Sequence, residues 1–182
     1  MLEIIEPLAD LHTHTFTFSD GMNSVDEMVV AAGLAGLKRM ALTDHSLDHQ
    51  RHYGLQIKTL GANRWRWRNI HNDVKVFWGV EADIISEDGE VCFESPYLGD
   101  EVVILSLHEA VYSGSNGTDL REVTKAYVMA LEKYHERITS LGHICAKGTS
   151  EYLDVPRVLE VARNYGIYPE LNCANLVFGK TD

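Results

Sequence analysis

The sequence predicts an α/β fold of repeated βα units forming a mainly parallel sheet or barrel, and three observations carry that expectation. Short apolar runs alternate with longer stretches of helical periodicity along the whole chain. Most of these runs stop at a His, Asp or Glu. The size and make-up, 182 residues with 45 % hydrophobic and 24 % charged, suit a single domain over residues 1–182. A chain of this size buries roughly 70 % of its unfolded surface, so it needs no metal or disulfide merely to fold.

The elements follow in order. Leu8 to Leu11 is a first strand, cut off by His12, Thr13 and His14. Ser24 and Glu27 form a capping box ahead of the helical positions Val25, Met28, Val29 and Ala32, and Gly36 closes that helix. Arg39 to Leu42 is the second strand and runs into Thr43, Asp44 and His45. Residues 46 to 72 carry the weakest pattern, with a helix expected from Leu55 to Ile70 around the run Arg64-Trp-Arg-Trp-Arg68. Lys75 to Val80 is the third strand, ending at Glu81, and Ile84-Ile85 and Val91-Cys92-Phe93 flank an Asp88-Gly89 hairpin turn.

Val102 to Leu107 is the next strand, ending at His108, and Leu120, Val123, Tyr127, Leu131, Tyr134 and Ile138 mark one face of a long helix. Gly142 to Ala146 reads as a strand or its tail, Asp154 caps a helix that Gly166 ends, and Ile167 to Leu171 is a sixth strand. Asp182 then falls where the alternation calls for one more helix and strand, so truncation of a longer protein by some tens of residues is expected.

Composition excludes several classes. A net charge of −11, from 27 acidic against 16 basic residues, argues against a general nucleic-acid groove. It leaves room for a phosphorylated substrate held by metal. Cys92, Cys145 and Cys173 form no C-x-x-C pair and read as small buried residues in a reducing compartment. The acidic N-terminus is unlike a signal peptide and no run approaches the ~18 apolar residues of a membrane span, so a cytoplasmic protein is expected. Nothing in the pattern points to a particular oligomer.

In βα folds, side chains at the carboxyl ends of the strands converge on one rim. That rim would gather His12 and His14, Asp44 and His45, Glu81, His108 and His143, with Asp20 in the first loop. Residues two apart on a strand point the same way, so His12 and His14 can grip one ion. Imidazole and carboxylate without thiolate suit Zn, Mn or Fe, and a carboxylate can bridge two ions. His49, His52, His71 and His135 lie in helical or loop stretches and read as surface residues.

These motifs resemble those of the PHP (polymerase and histidinol phosphatase) superfamily. Asp10-Leu-His12-Thr-His14 with Ser19-Asp20-Gly21 is similar to its first motif and Thr43-Asp44-His45 to its second. Glu81 looks like its bridging glutamate, His108 and Gly142-His143 like its third and fourth motifs, and Glu170-Leu-Asn172 like the E-x-N of histidinol-phosphatase-like members. The resemblance implies a distorted seven-stranded (β/α)7-type barrel with two or three divalent ions, incomplete here at its C-terminal end.

It further implies that His12, His14 and Glu81 hold a first ion, that Glu81, His108 and His143 hold a second, and that Asp20 and His45 hold a third. The family completes the first and third positions with a later Asp-x-His, which does not occur after Asn172 in this chain. The implied activity is hydrolysis of a small phosphomonoester by a metal-activated water. A nuclease of the same family and a catalytically impaired metal-binding module are the alternatives. A metal-dependent amidohydrolase also opens on H-x-H but would place a lysine where Glu81 stands.

Three further features have two readings each. Asp44 either orients a ligand imidazole or caps a turn. Lys147 either meets substrate phosphate or sits solvated in the Lys147-Gly148 turn. The Arg64 to Arg68 run is either a basic and aromatic wall or a helix with buried Trp and solvated Arg.

Overall fold

A computed structural model describes residues 9–54, 61–97, 99–114 and 119–181. The expected strand start at Leu8, the acidic N-terminus and the helix start at Leu55 lie outside the described residues.

Among the described residues, six parallel strands stand side by side in chain order: β1 (Ala9–Thr13), β2 (Arg39–Leu42), β3 (Lys75–Ile84), β5 (Val102–Ser106), β6 (Ser140–Leu141) and β7 (Tyr168–Pro169), while β4 (Val91–Cys92) pairs antiparallel with the end of β3. Sequential order is that of a barrel, since a doubly wound sheet reverses direction at a switch point. The sheet is also curled. Laid flat, the five steps from β1 to β7 would span roughly 24 Å at about 4.8 Å per strand. Yet His12 on β1 and Glu170, just beyond β7, are in side-chain contact. The result is an incomplete, distorted barrel.

Helices cover the outside. α1 (Val25–Leu34) begins at the Ser24 and Glu27 capping box, and Gly36 beyond its end takes a positive φ of 80°. It packs Val29 and Ala32 against Met40, Leu42 and Trp78. α4 (Leu120–Tyr134), capped by Asp119, and α5 (Val155–Asn164), capped by Asp154, bury Val123, Tyr127, Leu131 and Val158 against Leu105 and Leu141.

The expected strands are present, with differences that have physical reasons. β3 extends past Val80 because it changes partners, pairing with β2 through Trp78, with β5 from Gly79 to Asp83, and with β4 at its end. Glu81 therefore lies inside a strand, and its charge had made the apolar run look shorter. β6 precedes Gly142 and His143 instead of containing them.

Two helices frame the least legible region. α2 (Leu47–His52) is capped by Ser46 and has no apolar stripe, burying Leu47, His49 and Gln50. α3 (Gly61–Arg66) lies within the expected helical stretch, but Trp65 is exposed. Arg64 is a structural tie, donating to Gly99 O (2.5 Å) and pairing with Glu101 (3.2 Å). Trp67 donates to Asp26. Cys92 is buried as expected, whereas Cys145 and Cys173 are exposed. α6 (Cys173–Val177) follows β7. No helix among the described residues is long and apolar enough to cross a membrane.

Candidate metal centre

Glu81 is the centre of the rim. β3 directs Gly79, Glu81 and Asp83 to one face while Val80, Ala82 and Ile84 enter the core on the other. The Glu81 side chain is 1 % exposed and five imidazoles surround it. Its oxygens divide them. Oε2 faces His12 Nε2 (3.4 Å), His14 Nε2 (3.4 Å) and His45 Nδ1 (2.9 Å), whereas Oε1 faces His143 Nε2 (2.7 Å) and His108 Nε2 (3.6 Å).

The spacing of the first group matches an ion's coordination shell. His12 Nε2 and His14 Nε2 converge to 3.1 Å, and each stands 3.4 Å from Glu81 Oε2. A tetrahedron with metal–ligand bonds of about 2.0–2.1 Å has edges of about 3.3 Å. A register shift between Asp10 and Thr13 in the pairing of β1 with β2 kinks the strand where His12 must turn inward. The pairing of β2 with β3 resumes at an isolated His45–Glu81 bridge, which brings His45 alongside. His45 Nδ1 is buried against Glu81 Oε2 at 2.9 Å. His14, Asp20 and His45 form another group, with Asp20 Oδ1 3.6 Å from a nitrogen of each ring. The ligand atoms within each of these groups, and within the Glu81, His108 and His143 group, lie inside 4.8 Å of one another. The residues fit divalent cations.

Two carboxylates behind the rim orient the rings. Asp83 Oδ1 takes His108 Nδ1 at 2.5 Å while Ser46 Oγ donates to Asp83 Oδ2. Glu170 Oε2 takes His12 Nδ1 at 2.5 Å, and its Oε1 accepts the His143 amide (2.8 Å) and Asn172 Nδ2 (2.9 Å). Each bond leaves the outer nitrogen, Nε2, to face Glu81. Sequence reasoning missed Asp83 as a site residue, although its position two residues after Glu81 places it on the same face. It noted Glu170 only within the E-x-N stretch. His143 adopts a positive φ of 30°, uncommon for a residue with a Cβ, and the Glu170 contact holds its amide.

The profile of the PHP domain matches residues 10–172. The chain belongs to the PHP family. It is 29 % identical over 172 residues to a probable phosphatase of Shewanella loihica, covering 91 % of this chain and 63 % of that one. It is 31 % identical over 170 residues to a probable phosphatase of Caldanaerobacter subterraneus subsp. tengcongensis (92 % and 63 %), and 30 % identical over 175 residues to one of Aliivibrio fischeri (93 % and 64 %). The chain thus spans a little under two thirds of the length of these relatives.

In this PHP domain the rim is electrostatically tense without cations. Burial opposes the charge on Glu81, but His12, His143 and His45 outweigh it and hold the carboxyl well below its ordinary range. Burial also opposes a charged His12, and the Glu170 and Glu81 carboxylates overcome it, raising the ring to about 10. His14 moves the other way, to about 4, because burial, reinforced by the neighbouring His45 and His12, outweighs Glu81. Ligand nitrogens must be unprotonated to bind metal, so cation binding would displace the His12 proton.

Asp44 does not hydrogen-bond an imidazole; it accepts from Thr15 N (2.6 Å), Thr15 Oγ1 (2.9 Å) and the Tyr97 hydroxyl, tying the loop after His14 to the end of β2. These bonds are long-range ties to Thr15 and Tyr97. Lys147 is exposed in the turn after Ala146, and its amide donates to Lys180 O.

Two cavities meet at His108 and His143. The inner one, about 250 Å³, is lined by His12, His14, His45, Glu81 and Asn172 together with those two residues. The outer groove, about 600 Å³, adds His49, His52, Tyr53, Glu109 and Tyr152. Lys147 lines neither. His49, expected to be a surface residue, is buried and stacks on His45 with ring centroids 3.6 Å apart. The PHP domain therefore places a polar groove directly over its candidate metal ligands.

Proposed function

We propose that this chain carries the metal centre of a metal-dependent phosphoesterase that hydrolyses a small phosphomonoester, in the manner of histidinol-phosphatase-like proteins. One observation carries the reading: the buried Glu81 turns one oxygen to His12, His14 and His45 and the other to His108 and His143. A carboxylate placed this way joins two cation positions. Divalent ions held there, Zn, Mn or Fe, would supply the positive charge that clamps a phosphoryl group and acidifies a water. A third position at Asp20 and His45 completes the set.

The protein's own part is positioning. Asp83 and Glu170 keep the ligand nitrogens of His108 and His12 facing Glu81, and the buried Glu81 stays ionised to receive cations. The groove of about 600 Å³ beside His108 and His143 suits a small leaving group. The names of the relatives as probable phosphatases support this reading, and so does the net charge of −11, which disfavours a nucleic-acid substrate. Two exposed free cysteines suit a reducing, cytoplasmic setting. Lys147, outside both cavities, is the side chain proposed to meet substrate phosphate.

The test is hydrolysis of a generic aryl phosphate by the protein loaded with Mn or Zn. Turnover is expected, and loss of it in Glu81→Ala. Absence of metal from the loaded protein would overturn the proposal. Faster cleavage of single-stranded DNA than of histidinol phosphate would replace a phosphatase with a nuclease.

A further inference from the structure

The ring of His49 is not used by any of the three cation positions. We propose that it is a metal ligand, forming with His45 and His108 an outer cation seat at the floor of the groove. The inference rests on the metal-centre reading of the rim and goes beyond its three positions.

Three observations support it. The ligand atoms of His45, His49 and His108 lie within 4.8 Å of one another. His49 is only 7 % exposed, and its Nδ1 is buried with no hydrogen-bond partner. A buried ring nitrogen without a partner is costly, and a cation satisfies it. His49 and His108 line the outer groove, from which an ion arrives.

The outer seat does not add a separate ion. Asp83 occupies His108 Nδ1, which leaves Nε2 as that ring's single ligand atom. The same Nε2 faces Glu81 in the inner seat with His143. The two seats share one atom, so they hold one cation between them, outward on His45 and His49 or inward on Glu81 and His143, and because a neutral imidazole has a single free nitrogen the outward pose also takes His45 from the position it shares with Asp20. Reaching the outward pose requires the stacked His45 and His49 rings, tilted by 15°, to swing apart. The groove beside His49 gives that ring room.

The test follows ring-nitrogen NMR signals during Zn²⁺ titration of wild type, His143→Phe and the double variant His143→Phe/His49→Phe. Phe keeps an aromatic ring and removes the nitrogens. In wild type the His49 signal is expected to move with metal. In His143→Phe the His108 signal should still move, now through the outer seat. In the double variant it should respond only at about tenfold or more higher Zn²⁺. A His49 signal that stays fixed while His12 and His108 shift would overturn the outer seat and leave the metal centre intact, as would identical His108 titrations in the single and double variants. If no ring signal moves in wild type, the metal centre itself falls. Circular dichroism of each variant separates these results from misfolding.

Discussion

Glu170 Oε2 accepts from His12 Nδ1 at 2.5 Å, which joins the last strand of the sheet to the first. The other oxygen of the same carboxylate holds the His143 amide. One side chain thus fixes two candidate ligands on opposite sides of Glu81.

Glu170→Gln should weaken Zn²⁺ binding by roughly 10- to 100-fold. An amide has a single acceptor oxygen, so it cannot receive both His12 and His143. Where its NH₂ faces His12 it drives the proton onto Nε2, the nitrogen an ion needs. Competition with a chromophoric chelator measures the change, and an unaltered affinity would refute the role.

The same variant has a predicted pH signature in the metal-free protein. Glu170 helps to raise His12 to about 10, so this pairing stabilises the fold fully below the ordinary histidine value of 6.5 and loses its effect as pH rises toward 10. Glu170 itself lies below its ordinary 4.5, so the contribution also fades in acid. Urea unfolding should therefore show the largest gap between wild type and Glu170→Gln near pH 5–6.5, closing by about pH 10. A gap independent of pH would point to packing alone.

Tyr97→Phe tests Asp44 as the tie between the first loop and β2. Burial raises Asp44 to about 6 against the Tyr97 and Thr15 donors that favour its charge. Removing the hydroxyl should cost about 1–3 kcal/mol. The cost should be full above about pH 6 and shrink below it, where the carboxyl takes a proton. Denaturant unfolding at pH 8 and pH 5 measures both values, and equal losses would contradict the charge argument.

Gly142→Ala should disturb fold and site together. A Cβ there would collide with Ser106 Oγ, crowd Ile104 and stand 3.4 Å from the His12 ring. The expected destabilisation is about 1–3 kcal/mol, with weakened Zn²⁺ binding because His143 is the next residue. Unfolding and chelator competition check the two parts separately.

Much of this was legible in the sequence where local rules operate. Ser24 with Glu27, Asp154, Asp88-Gly89 and the run from Arg39 to Leu42 each announce their element through capping, turn or strand chemistry. The His and Glu residues of the rim stood out because packing gives no reason for them at successive strand ends. What escaped depends on tertiary contact. Asp83 looks like an ordinary strand polar residue until Ser46 and His108 meet it. His49 sits on a helix without an apolar stripe, so its burial comes from the neighbouring His45 and His108 rings. Asp44 was ambiguous because a buried carboxylate serves an imidazole or a backbone amide equally well, and the choice lies in the loop.

Elemental analysis after equilibrium dialysis against Zn²⁺ or Mn²⁺, run in parallel on wild type and Glu81→Gln, tests the metal centre most directly. At least one tightly held ion per wild-type chain is predicted, with most of it lost in a Glu81→Gln protein whose circular dichroism is unchanged. Wild type without bound metal, or a folded Glu81→Gln protein that retains the full complement, would contradict a centre built on Glu81.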